Sequence, residues 1–128
     1  MNSLDTNVVL RYLLDDIPEQ TIKVKRVIEN ENSYVTDVVV METIFVLERV
    51  IDLDRTDIVT LVSSFLSLPT IIYNDYFLDQ VLELYGLEKT LSIVDCYAAI
   101  ESKMYKNTLL TFDKDLAIHG GNHVKELK

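Results

Sequence analysis

The chain has 128 residues, which predicts one domain over residues 1–128, and its hydrophobic fraction of 48% is typical of a globular protein. The 21 acidic residues outnumber the 12 basic residues, and the net charge of −9 excludes a generic basic nucleic-acid binder whose affinity comes from phosphate neutralisation. A single cysteine, Cys96, excludes an internal disulfide and favours a reducing, cytoplasmic location.

Targeting and membrane segments are not predicted. The N-terminus lacks the pattern of a signal peptide, in which a basic region precedes an apolar stretch and a small-residue cleavage site. The longest uncharged run covers residues 58–74, but it contains Pro69 and several hydroxyl side chains. We therefore expect no membrane span and no membrane partner.

Short apolar or β-branched runs alternate along the chain with longer helical patterns. Strands are predicted at residues 2–4, 34–36, 70–73 and 108–112 and, more weakly, near Val124; helices are predicted near 7–14, 18–31, 38–51, 55–67, 75–86 and 92–105. Pro18 is typical of a first helical turn, and the pairs Asp54–Asp57 and Ser92–Asp95 resemble capping boxes. This alternation predicts an α/β fold with a mostly parallel sheet covered by helices.

Two acids follow predicted strands directly. Asp5 comes after residues 2–4, and Asp113 closes the run "NTLLTFD". In open parallel sheets, ligands bind beyond the carboxyl ends of the strands, so both positions suit a binding site. Each acid also has a purely structural explanation, because Asp5 could cap the first helix and Asp113 a short helix over residues 114–119.

Two further acids lie in predicted helices. Glu42, in "DVVVMETIFVLERV", has apolar neighbours at helical spacing, which predicts an acid on a buried face that needs compensation by a cation or by an ion pair, for example with Arg49. Asp95, in "LSIVDCYAAIE", could complete a capping box with Ser92, and the alanines one turn later leave room beside its carboxylate.

Four such acids could meet in one cleft. Clustered carboxylates repel one another unless some are protonated or a cation neutralises them. Cys96, next to Asp95, is predicted to be a small packing residue, and His119 and His123 are predicted to lie at the surface. The remaining all-oxygen ligand set favours Mg²⁺ or Mn²⁺ over zinc. Such ions position water and stabilise the oxyanions of a phosphoryl displacement.

The same segments carry a family resemblance. "DTNVVLRYLLDD", "VVVMETIFVLERV", "SIVDCYAA" and "LLTFDKDL" resemble, in order, the four motifs of the PIN-domain family and, within it, of VapC-type toxins of toxin-antitoxin pairs. The resemblance implies a three-layer α/β/α sandwich. It implies that the acidic quartet is Asp5, Glu42, Asp95 and Asp113, that Asp115 is an additional metal ligand, and that Thr6 and Asn7 support the site.

The resemblance also implies an activity and partners. The activity is that of an endoribonuclease that uses one or two Mg²⁺ or Mn²⁺ ions, on an RNA substrate with transfer RNA as the family-level expectation. The partners are a second copy of the chain, in a homodimer, and a small inhibitory antitoxin protein.

Lys23, Lys25 and Arg26 form the densest basic cluster and either contact RNA or belong to a solvated helix surface. Apolar side chains of the first four helices either line a groove for an antitoxin helix or belong to the core: Val24, Ile28, Val46, Val50, Val62 and Phe65.

Three alternatives remain open. A receiver domain of the response-regulator type has a comparable length and acidic pocket, but it needs paired acids after the first strand, and Thr6 follows Asp5 here. A PIN-like domain could act as a catalytically silent binding module. A PIN-like nuclease could act in RNA processing and not as a toxin.

Overall fold

The computed structural model of the protein describes residues 1–128 and shows a mixed α/β chain in which all strand pairs are parallel. The predicted α/β class is therefore confirmed. Its elements, in chain order, are β1 (Asn2–Ser3), α1 (Thr6–Leu14), α2 (Pro18–Asn30), β2 (Ser33–Tyr34), α3 (Asp37–Arg49), α4 (Arg55–Leu66), β3 (Ile71–Ile72), α5 (Asp75–Leu87), α6 (Ile93–Met104), β4 (Leu109–Thr111), α7 (Lys114–His119) and β5 (Val124–Glu126).

The chain divides into two compact units, Met1–Asp75 and Tyr76–Lys128. The first unit contains a three-stranded parallel sheet in the order β1-β2-β3, with Ser33 in register between Asn2 and Ile71. Helix α1 packs against α2, α3 and α4, and α4 also packs against β3. Its core is built from aliphatic side chains of all four helices and the sheet, among them Val9, Ile28, Val35, Ile44, Leu47, Ile58 and Val62.

Helix ends in the first unit follow local chemistry, with one exception. Pro18 begins α2, where its missing N–H costs nothing, and the Thr36 hydroxyl accepts a 3.2 Å hydrogen bond from the backbone N–H of Val39. The capping box predicted for Asp54 and Asp57 is wrong, because Asp54 occupies the N-cap of α4 without a side-chain capping bond. The i, i+3 spacing alone does not fix the rotamer that a capping bond needs.

The second unit contains a two-stranded parallel sheet of β4 and β5, in which Leu109 lies in register with Val124. Helix α7 packs against both strands, and α6 packs against β4. Tyr85 is fully buried, and the rings of Phe77 and Tyr97 meet edge to face with centroids 4.7 Å apart. These contacts give the unit a core of its own.

The predicted elements agree closely with the observed ones. All six predicted helices are present with ends shifted by two residues at most, and the short helix expected at 114–119 is α7. The strands are shorter than the apolar runs that predicted them, with two or three paired residues each. β2 also begins one residue before the predicted run 34–36 and shares only Tyr34 with it. No helix has the length and apolar character needed to cross a membrane.

Candidate metal centre and nucleic-acid surface

Asp5 follows β1 and is the N-cap residue of α1. Its extended backbone (φ −81°, ψ 161°) directs the carboxylate back onto the helix start, where Oδ1 accepts a 2.8 Å hydrogen bond from the Thr6 N–H. The side chain is exposed and makes no ion pair. The capping explanation and the ligand explanation are therefore compatible, because one backbone bond leaves most of the carboxylate lone pairs free.

Glu42 lies in the second turn of α3, and its predicted burial is wrong. The residue is exposed, and so are Val38 and Phe45 on the same helical stripe, with 76% and 52% of their surfaces accessible. The alternative of an ion pair with Arg49 is also not observed, because Arg49 lies 3.7 Å from Glu48 instead. Glu42 forms no side-chain hydrogen bond and no ion pair, so it has no structural role that explains it.

Asp95 lies in the first turn of α6 and forms the predicted capping box. The Asp95 N–H donates to the Ser92 hydroxyl at 3.0 Å, and the Asp95 carboxylate accepts from the Ser92 N–H at 3.2 Å. The side chain is half-buried. Cys96 beside it is fully buried, in agreement with a packing role for the thiol.

Asp113 follows β4 and is the N-cap residue of α7. Its Oδ1 accepts hydrogen bonds from the N–H groups of Asp115 at 2.8 Å and Leu116 at 3.2 Å, while its own N–H donates to the Thr111 hydroxyl at 3.0 Å. Both Asp113 and Asp115 are exposed. Three hydrogen bonds thus hold the turn between β4 and α7 in one conformation.

Chain direction arranges the acids within each unit. In the first unit, Asp5 follows β1 and α3 follows β2, so Asp5 and the first turns of α3 lie toward the carboxyl ends of two paired parallel strands. In the second unit, the chain reverses direction between α6 and β4, and α6 packs on β4. Asp95 at the start of α6 and Asp113 just after β4 therefore lie toward the same end of this helix–strand pair. Each unit therefore carries two of the four acids.

The donor chemistry of these acids fits a hard divalent cation. Asp5, Glu42, Asp95 and Asp113 offer oxygen atoms only, and no lysine or arginine neutralises any of them. Within neither unit do three or more His, Cys, Asp and Glu side chains lie close enough together to hold a metal ion.

The two histidines are engaged elsewhere. His119 Nδ1 lies 3.2 Å from a Glu88 carboxylate oxygen, and His123 Nε2 lies 2.7 Å from the carbonyl oxygen of Ala99. Both contacts lie inside the second unit. The candidate ligand set consequently stays all-oxygen.

The residues after Asp5 differ in environment. Thr6 is buried, with 7% of its surface accessible, and its hydroxyl has no hydrogen-bond partner. Asn7 is exposed and lines a cavity of about 440 Å³ between α1 and α2. Asn7 thus links the Asp5 turn to this cavity, which we call the α1–α2 pocket.

The α1–α2 pocket has a polar and partly basic lining. Asn7 and Arg11 come from α1, Gln20 and Lys23 from α2, and the rest of the lining is apolar: Val8, Ile17 and Val24. Arg11 is paired with Asp16 at 2.7 Å, whereas Lys23 forms no ion pair. Arg11 and Gln20 were not predicted as site residues; their i, i+4 and i, i+3 spacings from Asn7 and Lys23 are the signal that could have identified them.

The residues of the predicted basic cluster are exposed, whereas half of the residues predicted for an apolar groove lie in the core. Lys23, Lys25 and Arg26 are all exposed, and Lys25 lies 3.8 Å from Asp15. Three residues predicted as possible groove positions belong to the core, since Ile28, Val62 and Phe65 have 0%, 2% and 3% of their surfaces accessible. Val24 and Val46 are half-buried, and only Val50 is well exposed.

Comparison with known proteins identifies the family. The family model described as "PIN domain" matches residues 3–121, a segment that includes all four acids of the quartet. No curated protein matches the chain. PIN domains are in general metal-dependent nucleases, so the class of substrate is nucleic acid. Because the match covers nearly the whole chain, the protein belongs to the PIN-domain family.

Proposed function

We propose that the protein is a Mg²⁺- or Mn²⁺-dependent endoribonuclease organised as one domain over residues 1–128. One observation carries the proposal. In a chain of the PIN family, Asp5, Asp95 and Asp113 are held in fixed conformations by backbone N–H groups, yet neither they nor Glu42 are neutralised by a basic side chain. Oriented carboxylates without a counter-charge are typical of a cation site.

The quartet of Asp5, Glu42, Asp95 and Asp113 would hold one or two divalent ions, with Asp115 as an additional ligand. A bound ion would supply Lewis-acid stabilisation of the phosphoryl oxygens and make water a stronger nucleophile. The capping bonds of the three aspartates reduce their rotamer freedom before any ligand arrives, which lowers the entropic cost of assembling the site. Thr6 and Asn7 would support Asp5 from the start of α1.

The reaction that we propose is hydrolysis of a phosphodiester bond. A water oxygen forms a bond to phosphorus while the bond from phosphorus to the 3′-oxygen breaks. The products are a 3′-hydroxyl and a 5′-phosphate. Glu42, whose oxygens make no hydrogen bond within the protein, is free to accept a proton from the attacking water. No nucleophilic side chain is required.

Lys23 and Arg26 are proposed to contact the RNA backbone, with Lys25 beside them. Lys23 also lines the α1–α2 pocket, which Asn7 connects to the Asp5 turn, and this continuity supports RNA contact over a purely solvated surface. Charge reversal at Lys23 and Arg26 should weaken RNA binding and flatten its dependence on salt. Reversal at Lys89, an exposed lysine without an ion pair, is the matched control for reversal at Lys23 alone. An equal effect of these two single changes would contradict the contact.

We further propose that the protein is the toxin of a toxin-antitoxin pair and acts in the cytoplasm as a homodimer. The antitoxin partner is supported by a mostly apolar depression of about 180 Å³ between α1 and α4, lined by Tyr12, Leu13, Leu61, Ser64, Phe65 and Leu68. An amphipathic antitoxin helix would place its apolar face in such a groove. Co-expression with the protein encoded by the neighbouring reading frame tests this, since a toxin should be inhibited and a processing nuclease should not.

The activity is tested by incubating the purified protein, freed of any partner, with total cellular RNA in Mg²⁺, Mn²⁺ or EDTA. We expect discrete fragments with 3′-hydroxyl and 5′-phosphate ends in either metal, no fragments in EDTA, and none with Asp5→Asn. Transfer RNA is the substrate that we expect end mapping to identify. Fragments that persist in EDTA, or that carry cyclic phosphates, would contradict the proposal; a folded, metal-binding protein that cleaves nothing would favour a binding module.

A further inference from the structure

Phe112 is the exposed aromatic side chain nearest in sequence to a predicted ligand. It follows β4, precedes Asp113 directly, and has 80% of its surface accessible. The hydrogen bond from the Asp113 N–H to the Thr111 hydroxyl and the capping bonds of Asp113 hold the backbone on both sides of the ring. A large apolar ring is therefore presented to solvent by a fixed turn. Neither the core nor the proposed hydrolysis accounts for it.

The surroundings of Phe112 combine apolar area with unpaired positive charge. Leu110, two residues earlier, is 57% exposed and lies in register with Lys125 on β5, while Leu109 and Val124 form the neighbouring pair toward the core side. Lys125 and Lys114 are both exposed, and neither forms an ion pair. We call Leu110, Phe112, Lys114 and Lys125 the Phe112 surface.

The Phe112 surface combines an exposed aromatic ring with two exposed lysines that form no ion pair, although the net charge of the chain is −9. Proteins that bind single-stranded nucleic acid combine these two features, because bases stack on the ring while cations follow the phosphates. A purely apolar protein contact would not need the lysines. The charge and the ring together favour a nucleic-acid strand as the occupant of the Phe112 surface.

We propose that Phe112 stacks against an unpaired base of the RNA strand, with Lys114 and Lys125 contacting the phosphates on either side of that base. This inference rests on the proposed endoribonuclease function and adds a substrate-binding residue to it. The Cα atoms of Phe112 and Asp113 are about 3.8 Å apart, as in any trans peptide, so a base held on the ring would be bound at the residue next to a candidate metal ligand. Stacking would then position a single-stranded segment for cleavage.

Binding of a defined probe tests the proposal. The probe is a fluorescein-labelled single-stranded RNA of twelve uridines, and a second probe has the same phosphates but abasic riboses. Asp5→Asn protein, which should not cleave RNA, is added in Mg²⁺ to a fixed concentration of each probe, and binding is followed by fluorescence anisotropy. Adding Phe112→Ala should weaken binding of the base-containing probe by about 5- to 100-fold and leave binding of the abasic probe nearly unchanged. Phe112→Trp should retain or tighten the binding of uridine RNA.

Tyr105→Ala is the matched control. Tyr105 is 71% exposed in the same unit, but it lies at the C-cap of α6, about 15 Å along the helix axis from Asp95. Its removal should leave the affinity for both probes unchanged. Because the Phe112 ring is exposed, Phe112→Ala should also keep the melting temperature within about 2 °C of that of the parent protein.

The outcomes separate the stacking role from the nuclease proposal. Cleavage by the wild type together with equal affinities for Phe112→Ala and Tyr105→Ala would overturn the stacking role alone. An equal loss on the uridine and abasic probes would also overturn it, because no base would then be involved. A changed oligomeric state of Phe112→Ala in sedimentation, without a change in RNA affinity, would identify a protein contact instead. No RNA binding and no cleavage by any form would overturn both proposals.

Discussion

Asp113 caps α7 and is proposed to be a metal ligand, and two substitutions can separate these roles. Asp113→Ala removes the acceptor of the N–H groups of Asp115 and Leu116 at the start of α7. Loss of such a cap costs about 1 kcal/mol of unfolding free energy. An unfolding entropy of about 2.1 cal/mol/K per residue over 128 residues converts this to a lower melting temperature by about 4 °C. Asp113→Asn keeps a capping oxygen and should lower it by about 2 °C at most.

The two variants should differ in stability but not in activity. Both substitutions remove the carboxylate charge, so both should lose metal-dependent RNA cleavage, although only the alanine variant loses the cap. Thermal denaturation followed by circular dichroism measures the first effect, and cleavage of end-labelled RNA in Mg²⁺ measures the second. A folded Asp113→Asn protein with the wild-type rate would refute the ligand role, and equal melting temperatures of the two variants would refute the capping argument.

Further substitutions test the role of Glu42, the capping box of α6 and the burial of Leu47. Glu42→Gln should abolish cleavage but keep the melting temperature within about 2 °C of that of the wild type, because the side chain has no partner. Glu29→Gln, which changes another exposed helical glutamate, should alter neither property. Equal cleavage rates of these two variants would contradict the role of Glu42. Ser92→Ala breaks the capping box of α6 and should lower the melting temperature by about 4 °C, whereas Ser92→Thr should restore most of it. In urea denaturation, Leu47→Ala should cost about 2–5 kcal/mol and the exposed Val50→Ala less than about 0.5 kcal/mol; similar costs would show that the burial assignments are wrong.

The helices could be predicted from sequence because their signals are local. Pro18 begins α2, the Ser92–Asp95 pair forms its capping box, and Asp113 caps the short helix that its position predicted. Each of these signals acts within one turn of backbone, where the sequence itself supplies both partners. The Asp54–Asp57 pair has the same spacing but forms no cap, so spacing permits such a bond without requiring it.

Burial and pairing were harder to predict because they depend on distant segments. The apolar stripe around Glu42 was correctly assigned to one helical face, but Val38 and Phe45 on that face are exposed. Conversely, Ile28 is core although it was also a candidate for a binding groove. Helical periodicity identifies which residues share a face, whereas what covers the face is decided by packing across the fold.

For the candidate site, too, local features could be predicted from the sequence and features of the folded surface could not. That Asp5 and Asp113 lie at helix starts after strands could be deduced from the order of elements, and the structure agrees. The α1–α2 pocket and the exposed Phe112 ring could not, because a cavity between helices and the exposure of one ring are properties of the folded surface. Whether the four acids hold a common ion stays a prediction.

A single-turnover cleavage rate tests whether the acidic quartet is the catalytic metal site. End-labelled RNA is mixed in Mn²⁺ with wild-type protein, with Asp5→Asn and with Asp95→Asn, one substitution in each unit, after circular dichroism has shown that all three are folded. We predict that the wild type cleaves and that both variants fail to cleave. A wild-type rate in either folded variant would contradict the assignment of the acidic quartet as the catalytic metal site.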